Sequence, residues 1–157
     1  MDLPDFADFC PAGHYVALRV GFAFPRDEVN ALPQPWVDHY TRHGLMLVDP
    51  LMRFAHGRRG AARWSDLEAE DSAGVLAAAR EHGLRYGAVI NTLDDGDACE
   101  RSFGIFSRYD RELSGREIAT LHAGLARLHA KMAPPGTLTQ AEREVLRMVR
   151  DGMILKQ

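Results

Sequence analysis

The chain has 157 residues, 46% hydrophobic and 26% charged, which suits one domain with a real core and excludes a disordered tail. A formal net charge of −3 excludes a domain whose whole surface grips nucleic acid. Two cysteines, Cys10 and Cys99, make no disulfide framework and read as free thiols of a reducing cytoplasm. The acidic start lacks the basic segment and apolar run of a signal peptide, and no apolar stretch is long enough to span a membrane.

Residues 15–24 read as a strand, with Tyr15, Ala17 and Arg19 on one face and Val16, Leu18 and Val20 on the other. Pro25 ends it, and Glu28 to Leu32 suits a short partner. Pro33 and Pro35 open a helix over Trp36 to His43, stopped at Gly44. Asp49-Pro50 is a second helix start, a capping acid followed by a first-turn proline, and Gly57-Arg-Arg-Gly60 ends that helix after His56. Residues 65–82 read as one helix closed by Gly83. Strands at Tyr86–Leu93 and Ser102–Tyr109 flank a polar hairpin loop over 94–100.

The clearest helix covers 114–133. Ser114 and Glu117 fit a capping box, and Ile118, Leu121, Leu125, Leu128 and Met132 form an apolar stripe. That stripe packs either on the chain's own sheet or, through Leu121, Leu125 and Leu128, on a second copy. Ala133-Pro-Pro-Gly-Thr137 stops the helix as a linker. Beyond it, Thr139 and Glu142 form another capping box ahead of a helical apolar face at Val145, Leu146 and Val149. The expected fold is α+β, an antiparallel sheet of about five strands sandwiched between helices, with a short helical C-terminal appendage.

No phosphate loop, nucleophile elbow or zinc-protease motif is present, so no enzyme is expected. His39 and His43, four apart on a helix, are half a metal site without a third ligand, and no metal or cofactor is expected. The acidic loop at Asp94, Asp95, Asp97 and Glu100 lacks calcium-loop spacing. What stands out is a set of amphipathic aromatics around one acid: Trp36, Tyr40, Asp49 and Trp64. Indole N–H and phenol O–H donors beside a carboxylate acceptor suit a small ligand with an amide or ester head and an apolar tail. The same residues also suit a plain reading, core aromatics beside a helix-capping acid.

The pattern Trp36-x3-Tyr40-x8-Asp49-Pro50-x13-Trp64 resembles the autoinducer-binding domain of LuxR-type quorum-sensing regulators. Gly83-Leu-Arg-Tyr-Gly87 resembles the approach to that family's central strands, and Gly104-Ile-Phe-Ser107 a later strand whose hydroxyl faces the ligand. The segment from Leu138 to Gly152 is similar to the opening of the family's helix-turn-helix domain. The resemblance implies an N-acyl homoserine lactone as ligand. Trp36 then donates to the lactone carbonyl, Asp49 accepts from the amide, Tyr40 and Trp64 wall the pocket, and Ser107 lies near the amide carbonyl. Leu18, Met46, Val89 and Phe106 are the side chains expected to set tail length.

This chain departs from the family's pattern at Leu32, where many members carry a tyrosine donor to the acyl carbonyl. It also has Asn91 in place of a proline, and only 14 residues precede Tyr15. Residues 1–133 are expected to sense ligand and dimerise, 134–137 to link, and 138–157 to begin a DNA-binding domain. The sequence stops at Gln157 before a recognition helix, so as written it is not expected to bind DNA. It reads as part of a longer regulator or a natural short form, its function either ligand-gated control of transcription by a homodimer or ligand-independent pairing with other regulators.

Overall fold

The computed structural model describes residues 5–21, 24–94 and 100–132. Five strands, β1 Gly13–Val20, β2 Asp27–Asn30, β3 Ala61–Arg63, β4 Tyr86–Leu93 and β5 Arg101–Arg108, form one antiparallel sheet. Their order is β2-β1-β5-β4-β3. Helices α1 Phe6–Phe9 and α5 Gly115–Lys131 cover one face, and α2 Gln34–Arg42, α3 Pro50–Gly57 and α4 Val75–Glu81 cover the other. The sandwich expected from sequence is therefore the fold observed. Among the described residues, no helix is long and apolar enough to cross a membrane. The linker and the 138–157 segment lie outside the described residues, as does most of the 94–100 loop.

Strand alternation divides the core in two. Phe103, Ile105 and Val89 join the cluster under α2, α3 and α4, while Phe106, Ala88 and Ile90 join the cluster under α5. Leu121 and Leu125 are fully buried in that second cluster, and Ile118, Leu128 and Met132 pack against it. The α5 stripe is thus committed to the chain's own sheet. Leu121 and Leu125 have no surface left to offer a second copy, so of the three residues expected at a dimer seam only the half-buried Leu128 retains any.

Helix starts follow local chemistry. The Leu51 amide donates to Asp49 Oδ1 at 2.8 Å, and the Ser114–Glu117 box closes reciprocally at 3.1 and 2.9 Å. The single helix expected over 65–82 is instead a 3₁₀ segment, Trp64–Glu70, followed by α4. Asp71 causes the break: its carboxylate accepts from Val75 and Leu76, restarting the backbone, and Gly74 turns through a φ of 74°. The short edge strand β3 and the single turn α1 carry no period long enough to expose them in sequence.

Strand β1 also departs from simple alternation. A bulge between Ala17 and Val20 shifts its register against β5, so Val20 packs with the α2–α4 cluster and Arg19 reaches α5. Arg19 has a φ of 55°, a left-handed backbone that costs an arginine on the order of 1 kcal/mol. A buried network holds it there. Its amide donates to Ser102 Oγ at 3.0 Å, Nε and Nη2 donate to the His129 carbonyl at 3.0 and 2.7 Å, and Nη1 pairs with Asp94. His129 bridges Ser102 Oγ through Nδ1 at 2.6 Å and Asp94 through Nε2 at 2.8 Å. The bulge, the end of β4, the start of β5 and the last turns of α5 are tied at one point.

Replacing Arg19 by Met leaves a buried carbonyl without its donors and Asp94 with His129 alone. We expect a loss of about 3 kcal/mol in urea unfolding. Arg111→Ala, which breaks the exposed Arg111–Glu117 pair, should cost far less, since water and salt screen that pair. Equal, small losses for the two variants would show that the network does not hold the fold.

Candidate ligand-binding site

A cavity of about 260 Å³ lies between the sheet and α2, α3 and α4. Its apolar wall includes Leu51, Val75, Leu76, Ala79, Leu84 and Ile105, and its polar groups include Tyr15, Glu28, Asn30, Trp36, Tyr40 and Asp49. The mixture of an apolar wall with a few aimed polar groups is that of a small-molecule site.

Trp36 and Tyr40 are one helical turn apart on α2 and therefore face the same way, their rings in edge contact at 5.7 Å. No described residue accepts from the Trp36 indole N–H. Asp49 caps α3 with Oδ1 and accepts the Tyr40 phenol on Oδ2 at 2.8 Å. Asp49 is only 4% exposed. Burial pushes its carboxyl up from the usual range, against the hydrogen bonds from Tyr40 and Leu51 that favour the charge. Burial and the neighbouring Asp49 charge together push the Tyr40 phenol up, so it stays protonated and remains a donor.

Trp64 lines the cavity from the start of the 3₁₀ segment and rests on Gly87 of β4. A Cβ at Gly87 would lie 2.5 Å from the indole and 2.2 Å from the Phe106 carbonyl, so only glycine lets the ring sit there. The buried Trp64 indole N–H has no acceptor among the described residues. Ser107 pairs with Gly87 across the strands, is fully buried and donates to the Tyr86 carbonyl at 3.2 Å.

The structure thus brings Trp36, Tyr40, Asp49, Trp64 and Leu32 to one cavity, but not Ser107, whose place on the wall is taken by Ile105. Of the side chains expected to set tail length, Met46 lines the cavity, whereas Leu18 and Phe106 belong to the opposite cluster. Sequence reasoning missed Tyr15, Glu28 and Asn30. Their shared face follows from the β1–β2 register, Tyr15 opposite Asn30 and Ala17 opposite Glu28. His82 from the end of α4 joins His39 at 5.1 Å and Trp36 at 5.3 Å. Even so, no group of three ligands suited to a metal occurs among the described residues. Cys10 is a free, buried thiol pushed up to about 12 by burial, and Cys99 lies outside the described residues.

The direction of the Asp49 shift fixes a pH dependence. A carboxyl raised on folding takes up its proton in the folded state first, so the fold gains stability as pH falls through the raised value toward 3.8. Asp49→Asn has no such proton to take up. The Tm of wild type relative to Asp49→Asn should therefore move in favour of wild type between pH 7 and 4. A difference independent of pH would mean that the Asp49 carboxyl is not raised.

The family described as the autoinducer binding domain matches residues 28–133. The regulatory protein SdiA of Escherichia coli strain K12 is 27% identical over 137 residues, 76% of this chain and 55% of SdiA. The chain thus spans about half the length of that curated relative. Among solved structures, CepR2 of Burkholderia cenocepacia, an N-acylhomoserine lactone dependent LuxR-family transcription factor, matches with a TM-score of 0.55 and 23% identity. That match covers 77% of this chain and 73% of CepR2. Crystalline E. coli SdiA matches with a TM-score of 0.51 and 23% identity, covering 89% of this chain and 64% of SdiA. With the fold shared and two thirds of its length matched, the chain belongs to the autoinducer-binding domain family of LuxR-type regulators, which are receptors and not enzymes.

Proposed function

We propose that this domain binds an N-acyl homoserine lactone-type signal in the 260 Å³ cavity and passes its occupancy to a DNA-binding domain of the full-length regulator. The observation that supports this is a buried carboxylate, and an indole N–H that no described residue accepts, on the walls of one cavity. Trp36 donates to the lactone carbonyl, Asp49 accepts the ligand's amide N–H, and Tyr40 orients Asp49 while walling the ring with Trp64. Leu32 adds apolar wall where a donor is often found in the family. Ser107 acts at one remove: it holds the Tyr86 carbonyl beside Gly87, the residue on which Trp64 rests.

Burying the ligand stabilises the folded form by mass action. The full-length protein then works as a homodimer that places two heads on DNA half-sites, with 134–137 as linker and 138–157 opening the DNA-binding domain. The alternative is a ligand-independent domain that pairs with other regulators. Leu32, an apolar side chain where a donor is often found in the family, is the observation that favours it.

Thermal unfolding against acyl homoserine lactones of graded length tests the reading. The expected result is a Tm rise of several degrees that depends on chain length. Asp49→Asn keeps a capping residue but loses the charged acceptor, so affinity should fall about tenfold or more. A flat panel, or Asp49→Asn binding like wild type while Asp49→Ala unfolds, would leave Asp49 a helix cap and end the proposal.

A further inference from the structure

Strand β2 is an edge strand, and its cavity face is polar. Antiparallel register with β1 places Glu28 opposite Ala17 and Asn30 opposite Tyr15, and both Ala17 and Tyr15 belong to the cavity side of the sheet. Glu28 and Asn30 line the cavity accordingly, whereas Val29 between them points to the other face and is 49% exposed. Both side chains are exposed at the sheet edge while lining the cavity, and an acyl tail alone makes no use of them. Beside a carboxylate, apolar chain forfeits part of the benefit of burial.

The donors and acceptors of these residues can be counted. Two phenol–carboxylate pairs face the cavity, Tyr40 with Asp49 at 2.8 Å and Tyr15 with Glu28 at 2.6 Å. Each phenol has given its only O–H to a carboxylate. The Tyr15 pair uses Glu28 Oε2, and Oε1 has no partner among the described residues. Asn30 accepts the Leu32 amide on Oδ1 at 3.2 Å, which leaves its amide N–H groups as donors. The β2 wall therefore offers one charged acceptor and one neutral donor, two positions apart on the same face. An amide N–H placed on Asp49 answers neither.

A hydroxyl answers both, since it donates to Glu28 and accepts from Asn30. A ketone answers only Asn30 and sets its oxygen against the Glu28 charge. A methylene answers neither. From this we infer that the ligand carries a hydroxyl on its acyl chain, read by Glu28 as acceptor and Asn30 as donor, with Tyr15 as the positioning residue that orients Glu28. The inference rests on the acyl-amide reading of the same cavity and adds the oxidation state of the chain. Tyr15, Glu28, Asn30, Tyr40 and Asp49 all line the one cavity of about 260 Å³, which keeps the amide and hydroxyl sites within one small ligand.

The test measures Kd for three homoserine lactones of equal chain length, with unsubstituted, 3-oxo and 3-hydroxy acyl groups, on wild type, Glu28→Ala and Tyr15→Phe. Wild type should prefer the 3-hydroxy compound about tenfold over both others, the worth of one hydrogen bond to a charged group. Glu28→Ala should bring the ratio of 3-hydroxy to unsubstituted close to one, and Tyr15→Phe should lower it partway. Glu28 is exposed on an edge strand, and unligated Tm of each variant checks the fold. Equal binding of all three by wild type, a preference for the 3-oxo compound, or a hydroxyl preference that survives in Glu28→Ala each overturns the inference and leaves the acyl-amide reading standing. No binding of any of the three by wild type overturns both.

Discussion

The cavity depends on one carboxylate doing two jobs. Asp49 starts α3 by accepting the Leu51 amide and fixes α2 by accepting the Tyr40 phenol, so two helices that share no long contact are set against each other. Charge makes this possible and burial makes it expensive, which is why the carboxyl sits above its ordinary range. A neutral ligand N–H arriving at the same oxygens relieves part of that cost. On the proposed reading, binding and folding act on the same group, and a receptor firmer when occupied would follow without any moving part.

The two faces of the sheet show what surrounds this. Beneath α5, side chains such as Phe106, Leu121 and Leu125 close a core with no surface exposed. Beneath α2, α3 and α4 the helices are short, the connection through Leu45–Leu47 is 3₁₀, and a void remains. One layer supplies stability and the other supplies room. The Arg19 network sits on the firm side, where it fixes the last turns of α5.

Local chemistry was readable in the sequence, and long-range register was not. Asp49-Pro50 and Ser114 with Glu117 announce helix starts because each cap satisfies its own neighbours. Trp36 and Tyr40 share a face by helical spacing alone, and Asp49 and Trp64 join them by composition and family resemblance. The left-handed Arg19, the bulge it occupies and the Asp71 cap that splits 65–82 all depend on partners or backbone turns that pattern does not reveal. Glu28 and Asn30 were hidden for the same reason, since a four-residue edge strand has too little period to say which face it offers. Ser107 shows the limit of resemblance: the residue is present, but its hydroxyl is occupied by the Tyr86 carbonyl.

The cluster at Arg19 has a further meaning. Ser102, His129 and Asp94 form the series hydroxyl, imidazole, carboxylate, the order in which a serine hydrolase sets its nucleophile, base and orienting acid. Here the imidazole is reversed, with Nδ1 toward the hydroxyl and Nε2 toward the acid, and the Ser102 oxygen already holds the Arg19 amide. Ser102 has no exposed surface, so no scissile bond reaches it. The same three side chains that cut esters elsewhere serve here as mortar, and what separates the two uses is access for a substrate.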